Sequence, residues 1–196
     1  MNRRGWALAI GAAVVLALVS LASNVTTTSQ MEGNADTLLA ARWTVSKLVN
    51  AGVVWGGLGI LAGWLVRRPV QAFAAGIVAQ LTACVVHYGT GQLVGMFEAS
   101  DWVNNATWFA AAVILGGPLG LIGAVARRTD GWGTAARLIV PAGALLEPFV
   151  VGSFDAPAIL PWPTRFAGTA SGAVLLVAGV VGAVTILVLA VRRRPA

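Results

Sequence analysis

The chain has 196 residues, of which 58% are hydrophobic and only 10% are charged. Soluble domains carry about 25% charged residues, so this composition excludes an ordinary soluble protein and indicates an integral membrane protein. The formal net charge is +6, but the basic residues stand in short clusters beside apolar runs. Such clusters are typical of membrane topology signals, and we expect the lipid bilayer and no nucleic acid as a partner.

The apolar runs predict an all-α fold, a single transmembrane domain of six helices, because about 20 apolar residues are needed to cross the hydrocarbon. The predicted spans cover residues 6–23, 46–66, 70–96, 105–126, 135–151 and 167–191. The first run also has the layout of a secretory signal peptide, with Arg3 and Arg4 before it and Ser20 and Ala22 at cleavage spacing. We treat it as a retained span, and cleavage remains the alternative.

The basic residues predict the orientation of the spans, since they alternate from loop to loop. Ten lie at one set of helix ends and three at the other, which predicts a cell-membrane protein with both termini in the cytoplasm. The ten are Arg3, Arg4, Arg67, Arg68, Arg127, Arg128, Arg137, Arg192, Arg193 and Arg194, and the three are Arg42, Lys47 and Arg165.

Small residues at helical spacing predict how the spans pack. The glycines from Gly52 to Gly63 form one stripe on the second span, and such stripes let helix backbones approach closely in lipid. Pro118 predicts a kink in the fourth span because proline removes a helical hydrogen bond. The external loops at residues 24–45 and 153–166 contain apolar and aromatic residues, so we expect them to pack onto the helix ends.

Polar and aromatic residues gather in the outer half of predicted spans two, three and five. Lys47, His87 and Glu147 are ionisable, and such groups are costly in lipid and usually face the bundle interior. Helical spacing places Gln80 and His87 on one face of the third span. The candidate ligand-binding residues are Trp43, Lys47, Asn50, Trp55, Gln80, His87, Tyr88 and Glu147.

Glu147 stands directly before Pro148, where we expect the fifth span to bend or stop. Its candidate partners are Lys47, His87 and Tyr88. Three roles are open: a buried ion pair or hydrogen bond that fixes helix register, a side chain of a ligand pocket, or a proton-coupling carboxylate.

Metal, cofactor and enzyme signals are lacking in the sequence. His87 is the single histidine and has no carboxylate cluster beside it, so we expect neither a metal nor a haem. Cys84, the single cysteine, lies mid-span and is typical of a packing residue. There is no glycine-rich phosphate loop and no paired-carboxylate motif, so we expect no cofactor and no enzymatic activity.

Three stretches carry a resemblance to a known family: NAGVVWGGLGILAGWLVRRPVQAFAAGIVAQLTACVVHYG, WFAAAVILGGPLGLIGAVARR and GALLEPF. Together they resemble an actinobacterial family of small multi-pass membrane proteins without assigned function, over about residues 46–150. The family's recurring positions would be filled by Asn50, Trp55, His87, Tyr88, Gly116, Gly117, Pro118 and Glu147, with His87 in place of an aromatic residue.

The architecture is also similar to the substrate-binding membrane subunits of energy-coupling-factor vitamin transporters. Six predicted helices, about 20.0 kDa and a long first external loop carry this likeness. It implies a small-molecule ligand under the external loops and a coupling ATPase or membrane subunit as partner. The partner's contact would be an Ala-x-x-x-Ala pair, Ala9 with Ala13 or Ala13 with Ala17.

The sequence therefore predicts a transporter-subunit-like multi-pass membrane protein. It would bind or pass a small molecule through a pocket among spans two, three and five, in the outer half of the bundle. The alternative is a structural or accessory membrane subunit without a ligand, in which the polar cluster only fixes helix packing.

Overall fold

A computed structural model describes residues 2–192, apart from the side chain of Met31, and this part of the chain contains helices and no strand. The predicted all-α fold is confirmed, and six lengths of helix are long and apolar enough to cross a membrane, with α3 and α4 taken together. The helices are α1 (Arg3–Ser23), α2 (Thr28–Met31), α3 (Asp36–Val49), α4 (Gly52–Val66), α5 (Pro69–Leu93), α6 (Ala99–Asn104), α7 (Ala106–Val125), α8 (Gly131–Val150) and α9 (Trp162–Arg192). Arg193 and Arg194, two of the residues behind the predicted orientation, lie outside the described residues.

The helical length that contains the second predicted span, residues 46–66, begins earlier, at Asp36, and is interrupted at Asn50 and Ala51. The fifth span was predicted to bend or stop beside Glu147; it does not stop there, because α8 continues through Pro148 to Val150, and the bend stays a prediction. A proline near a helix end removes one hydrogen bond and leaves the remaining turns intact.

Local signals explain why two helices begin earlier than the apolar runs. The Asp130 carboxylate accepts the N–H of Gly133 at 3.0 Å, an N-cap contact that starts α8. Pro163 is the second residue of α9, where its fixed φ suits the first helical turn and its missing N–H costs nothing.

The helices group into two compact units, and α1, α4 and α8 pass from one unit into the other. Unit 1 comprises residues 2–21 and 55–137, and unit 2 comprises residues 22–54 and 138–192.

Unit 1 has an alanine-rich core between α1, α4 and α5. Ala9, Ala13 and Ala17 occupy one face of α1 and are 2%, 0% and 0% exposed. They pack with Leu58, Ala62, Val66, Ala75, Ala79 and Ala83. The assignment of these three alanines to a coupling subunit is therefore wrong, because the chain's own helices bury them.

Glycines bring α7 into backbone contact with α4 and α5. A Cβ on Gly63 would overlap the carbonyl of Gly120, and a Cβ on Gly76 would overlap the carbonyl of Gly116. Dispersion contacts at this distance hold helices together where lipid supplies no hydrophobic driving force. The close packing predicted from the glycine stripe of the second span is confirmed at Gly63.

One end of unit 1 collects the first residues of α1, α5 and α8 and the last residues of α4 and α7. The Asn2 side-chain amide donates to the Leu65 carbonyl at 2.9 Å, and the Arg127 guanidinium donates to the Trp64 carbonyl at 3.2 Å. We call it the arginine end, since it carries Arg3, Arg4, Arg67, Arg68, Arg127 and Arg128.

In unit 2, α3 packs along α9. The Trp162 indole N–H donates to the Asp36 carboxylate at 3.1 Å, which joins the first turns of the two helices. The segment of residues 24–45, which was predicted to pack onto the helix ends, forms α2 and most of α3. Arg42 connects α3 to the residues before α2 by donating to the Ser23 carbonyl at 2.8 Å and to the Thr26 hydroxyl at 2.7 Å.

Candidate functional site

The break between α3 and α4 is lined by polar side chains of unit 2. The Asn50 amide donates to the Ser46 carbonyl at 2.9 Å, and the Ser46 hydroxyl donates to Asn24 Oδ1 at 2.7 Å. Asn50 also reaches Asn24 Oδ1, at 3.4 Å. Side-chain amides that bond to nearby backbone compete with helical hydrogen bonds, which explains why the helix is interrupted here.

Glu147 caps the helix that starts after the break. Its Oε1 accepts the N–H of Gly52 at 2.6 Å, and its Oε2 accepts the N–H of Val53 at 2.8 Å. The first N–H groups of a helix have no intrahelical acceptor and carry partial positive charge, so they favour a carboxylate. Pro148, the next residue, is fully buried and holds the backbone beside the carboxylate in place. Glu147 thus supplies from α8 the N-cap that α4 lacks in its own sequence.

The predicted partners of Glu147 differ from the observed ones. Within residues 2–192 the one ion pair joins Arg128 to Asp130, so Lys47 does not form a salt bridge with Glu147. The physical reason is that the α4 N–H groups are fixed donors, whereas a lysine must lose rotamer freedom and hydration to pair. Lys47 is exposed on α3.

Three other candidates, Trp55, His87 and Tyr88, come together in unit 1. The His87 ring centroid lies 6.1 Å from that of Trp55 and 5.2 Å from that of Tyr88, both edge to face. Phe97 adds a third ring at 5.4 Å. Edge-to-face contacts of this kind are favourable beyond their buried area, and His87 is only 7% exposed.

His87 Nδ1 ties α5 to α1. It lies 3.2 Å from the Ser20 hydroxyl oxygen and 3.4 Å from the Ala17 carbonyl oxygen. With the proton on Nδ1 the ring donates to these oxygens, and with the proton on Nε2 it accepts from the Ser20 hydroxyl. Sequence reasoning considered Ser20 only as a cleavage position and missed this contact.

Gln80 lies about two helical turns before His87 on the same face of α5. The predicted face is confirmed, because Gln80, Cys84, His87 and Gly91 are all buried. Gln80 Nε2 has no hydrogen-bond partner in the described part of the chain. The Gln80 amide lies close to the backbone of α4, because a Cβ added to Gly59 would be 2.7 Å from Gln80 Nε2. A buried donor without an acceptor costs about 1–3 kcal/mol, so Gln80 is a local source of instability.

The aromatic cluster extends beyond the predicted residues. Ring centroids of Tyr88 and Trp102 are 6.1 Å apart, and Trp102 stacks on Phe109 at 5.6 Å. The sequence signal that could have indicated this cluster is the close spacing of Phe97, Trp102 and Phe109 after the third predicted span.

The eight candidate residues divide between the two units. Trp55, Gln80, His87 and Tyr88 belong to unit 1, and Trp43, Lys47, Asn50 and Glu147 belong to unit 2. Their role in ligand binding stays a prediction. Over residues 2–192 there is no group of three or more His, Cys, Asp or Glu side chains that could hold a metal ion.

No family model, no curated protein and no solved structure matches this chain.

Proposed function

We propose that the chain is a cell-membrane protein, with both termini in the cytoplasm, that binds or passes a small polar molecule at the break between α3 and α4. The observation that carries the proposal is the interruption of an apolar helical length at Asn50 and Ala51, with Glu147 bound to the freed backbone of Gly52 and Val53.

The cost of unpaired backbone in lipid supports this proposal. Each unsatisfied backbone group in hydrocarbon costs several kcal/mol, so broken helices at membrane depth occur where the backbone is buried in protein or lines a water-filled cavity. Interrupted helices of transporters use such positions to bind substrates and coupling ions. Asn24, Ser46, Asn50 and Glu147 supply carboxylate, amide and hydroxyl groups at the break, which can orient a polar ligand.

The carboxylate gives the break two states. With Glu147 bound, the N–H groups of Gly52 and Val53 are satisfied. When a ligand group displaces Glu147, these two N–H groups become free donors. A ligand-coupled change in α4 then follows from a single contact.

The accessory alternative is favoured by one feature of the same contact. Both oxygens of Glu147 already have backbone donors, which is what a purely structural N-cap requires. In that case Glu147 matters for folding and for nothing else.

The experiment that separates the two functions measures ligand-dependent stability. The purified protein in detergent is heated with a panel of amino acids, nucleobases and water-soluble vitamins, and the unfolding midpoint is recorded. Binding at the break predicts that one class raises the midpoint of the parent and of Glu32→Gln, an exposed carboxylate control, but not that of Glu147→Gln. If no class stabilises the parent, or if Glu147→Gln responds equally, the accessory function is favoured.

A further inference from the structure

The arginine end concentrates positive charge that the fold does not neutralise. Arg3, Arg4, Arg67, Arg68 and Arg127 are all exposed there. Asp130 is the single acidic residue in the described segments that form this end, residues 2–5, 64–71 and 123–133. Its carboxylate pairs with Arg128, and this hydrogen-bonded guanidinium holds the pKa of Asp130 below its usual range. Asp130 therefore neutralises Arg128, and within residues 2–192 none of the other five exposed arginines forms an ion pair.

Arg67 occupies a backbone conformation that arginine disfavours. Its φ is 79°, and it is the one non-glycine residue with positive φ in residues 2–192. The position directly follows the last residue of α4, where glycine is usual because it has no Cβ to clash. Strained non-glycine positions are a mark of functional constraint. Arginine therefore occupies a position at which glycine would have less backbone strain.

Two tryptophans put this end at the level of lipid headgroups. Trp64 and Trp132 are 44% and 73% exposed, and such rings concentrate at the membrane–water interface. The Arg127 guanidinium lies 4.9 Å over the Trp64 ring, so its charge is held at the same level. The anions abundant at that depth are phosphates of lipids.

We propose that the arginine end of unit 1 is a binding site for the headgroups of acidic phospholipids. Each basic residue near an anionic membrane surface strengthens binding about fivefold, and the effect is screened by salt. The site is formed by unit 1 alone and does not depend on the function proposed for the break.

Native mass spectrometry of the purified protein in detergent tests this proposal. The protein is titrated with dioleoyl phosphatidylglycerol and with dioleoyl phosphatidylcholine, and the ratio of the two dissociation constants is the preference for acidic lipid. Arg3→Gln/Arg4→Gln removes two charges from the site, and Lys47→Gln/Arg165→Gln removes two exposed charges from unit 2 as a matched control. Arg67→Gly removes one charge and also relieves backbone strain, so it is expected to fold.

The expected preference for phosphatidylglycerol falls about 25-fold in the Arg3/Arg4 pair and about fivefold in Arg67→Gly, and is retained in the unit 2 pair. Equal losses in both pairs would mean that only total charge matters, and would overturn the site. Absence of a preference in the parent protein would overturn it as well.

Discussion

Replacement of Glu147 should destabilise the protein in proportion to the hydrogen bonds that it loses. The carboxylate accepts two backbone N–H groups, at 2.6 and 2.8 Å. A hydrogen bond to a charged group contributes about 1.5–3 kcal/mol, and loss of an N-cap costs about 0.5–2 kcal/mol. We therefore expect Glu147→Ala to lower the free energy of unfolding by about 3 kcal/mol. Glu147→Gln keeps one acceptor oxygen, and its loss should be about 1–2 kcal/mol.

The assay is equilibrium unfolding in mixed micelles of dodecyl maltoside and SDS, followed by tryptophan fluorescence. Glu32→Gln is the control, because its exposed carboxylate accepts only from the Asn34 side chain, at 3.3 Å, and its loss should stay within about 0.5 kcal/mol. If Glu147→Ala is as stable as Glu32→Gln, the carboxylate does not cap α4 and the reasoning about the break fails.

Three further substitutions test the packing and the backbone of unit 1 by the same unfolding assay. Gly63→Ala should lose about 2 kcal/mol or more, because its Cβ would overlap a carbonyl of α7, whereas Gly57→Ala has open space and should lose nothing. Equal effects would show that α4 and α7 are not in backbone contact. Gln80→Met should gain about 1 kcal/mol by removing a buried donor without an acceptor, and a loss would mean that the amide has a partner. Arg67→Gly should gain about 0.5–1 kcal/mol by relieving the positive φ, and Arg68→Gly, at φ −75°, should not.

The number of long apolar helices was predictable because it depends on composition over long windows. Five of the six predicted spans match helices with ends that differ by at most five residues. The buried face of α5 was predictable for a related reason, since helical spacing alone places Gln80 and His87 on one side.

The break was not predictable because the residue that caps the helix after it lies in another part of the chain. Asn50, Ala51 and Gly52 are tolerated within an apolar helix, and the residue that satisfies the freed N–H groups is 95 positions away. The sequence singled out Glu147 correctly as a polar residue that needs a partner. We expected a side chain as that partner, because an unbroken helix has no free backbone N–H groups at this position.

The Ser20–His87 contact was missed for a similar reason. An apolar first run with a serine near its end has the pattern of a signal peptide, and the helix partner of that serine depends on how α1 packs. The pattern does not specify how α1 packs, so it could not indicate a contact between Ser20 and His87.

The site proposed at the break requires that water reaches it from the side predicted to be external. Gly52→Cys is a suitable probe, because a Cβ there would make ordinary contact with Glu147, at 3.5 Å. The background is Cys84→Ala, which removes the single native thiol. Val180→Cys on the exposed apolar surface of α9 is the lipid-facing reference.

The deciding measurement is the rate at which a membrane-impermeant, charged thiol reagent modifies these cysteines in intact cells. We predict that Gly52→Cys reacts from outside, as does Ser100→Cys in the segment before α7, while Val180→Cys and Thr129→Cys remain unmodified. A Gly52→Cys rate no higher than that of Val180→Cys would contradict a water-accessible binding site at the break, and labelling of Thr129→Cys with none of Ser100→Cys would reverse the predicted orientation.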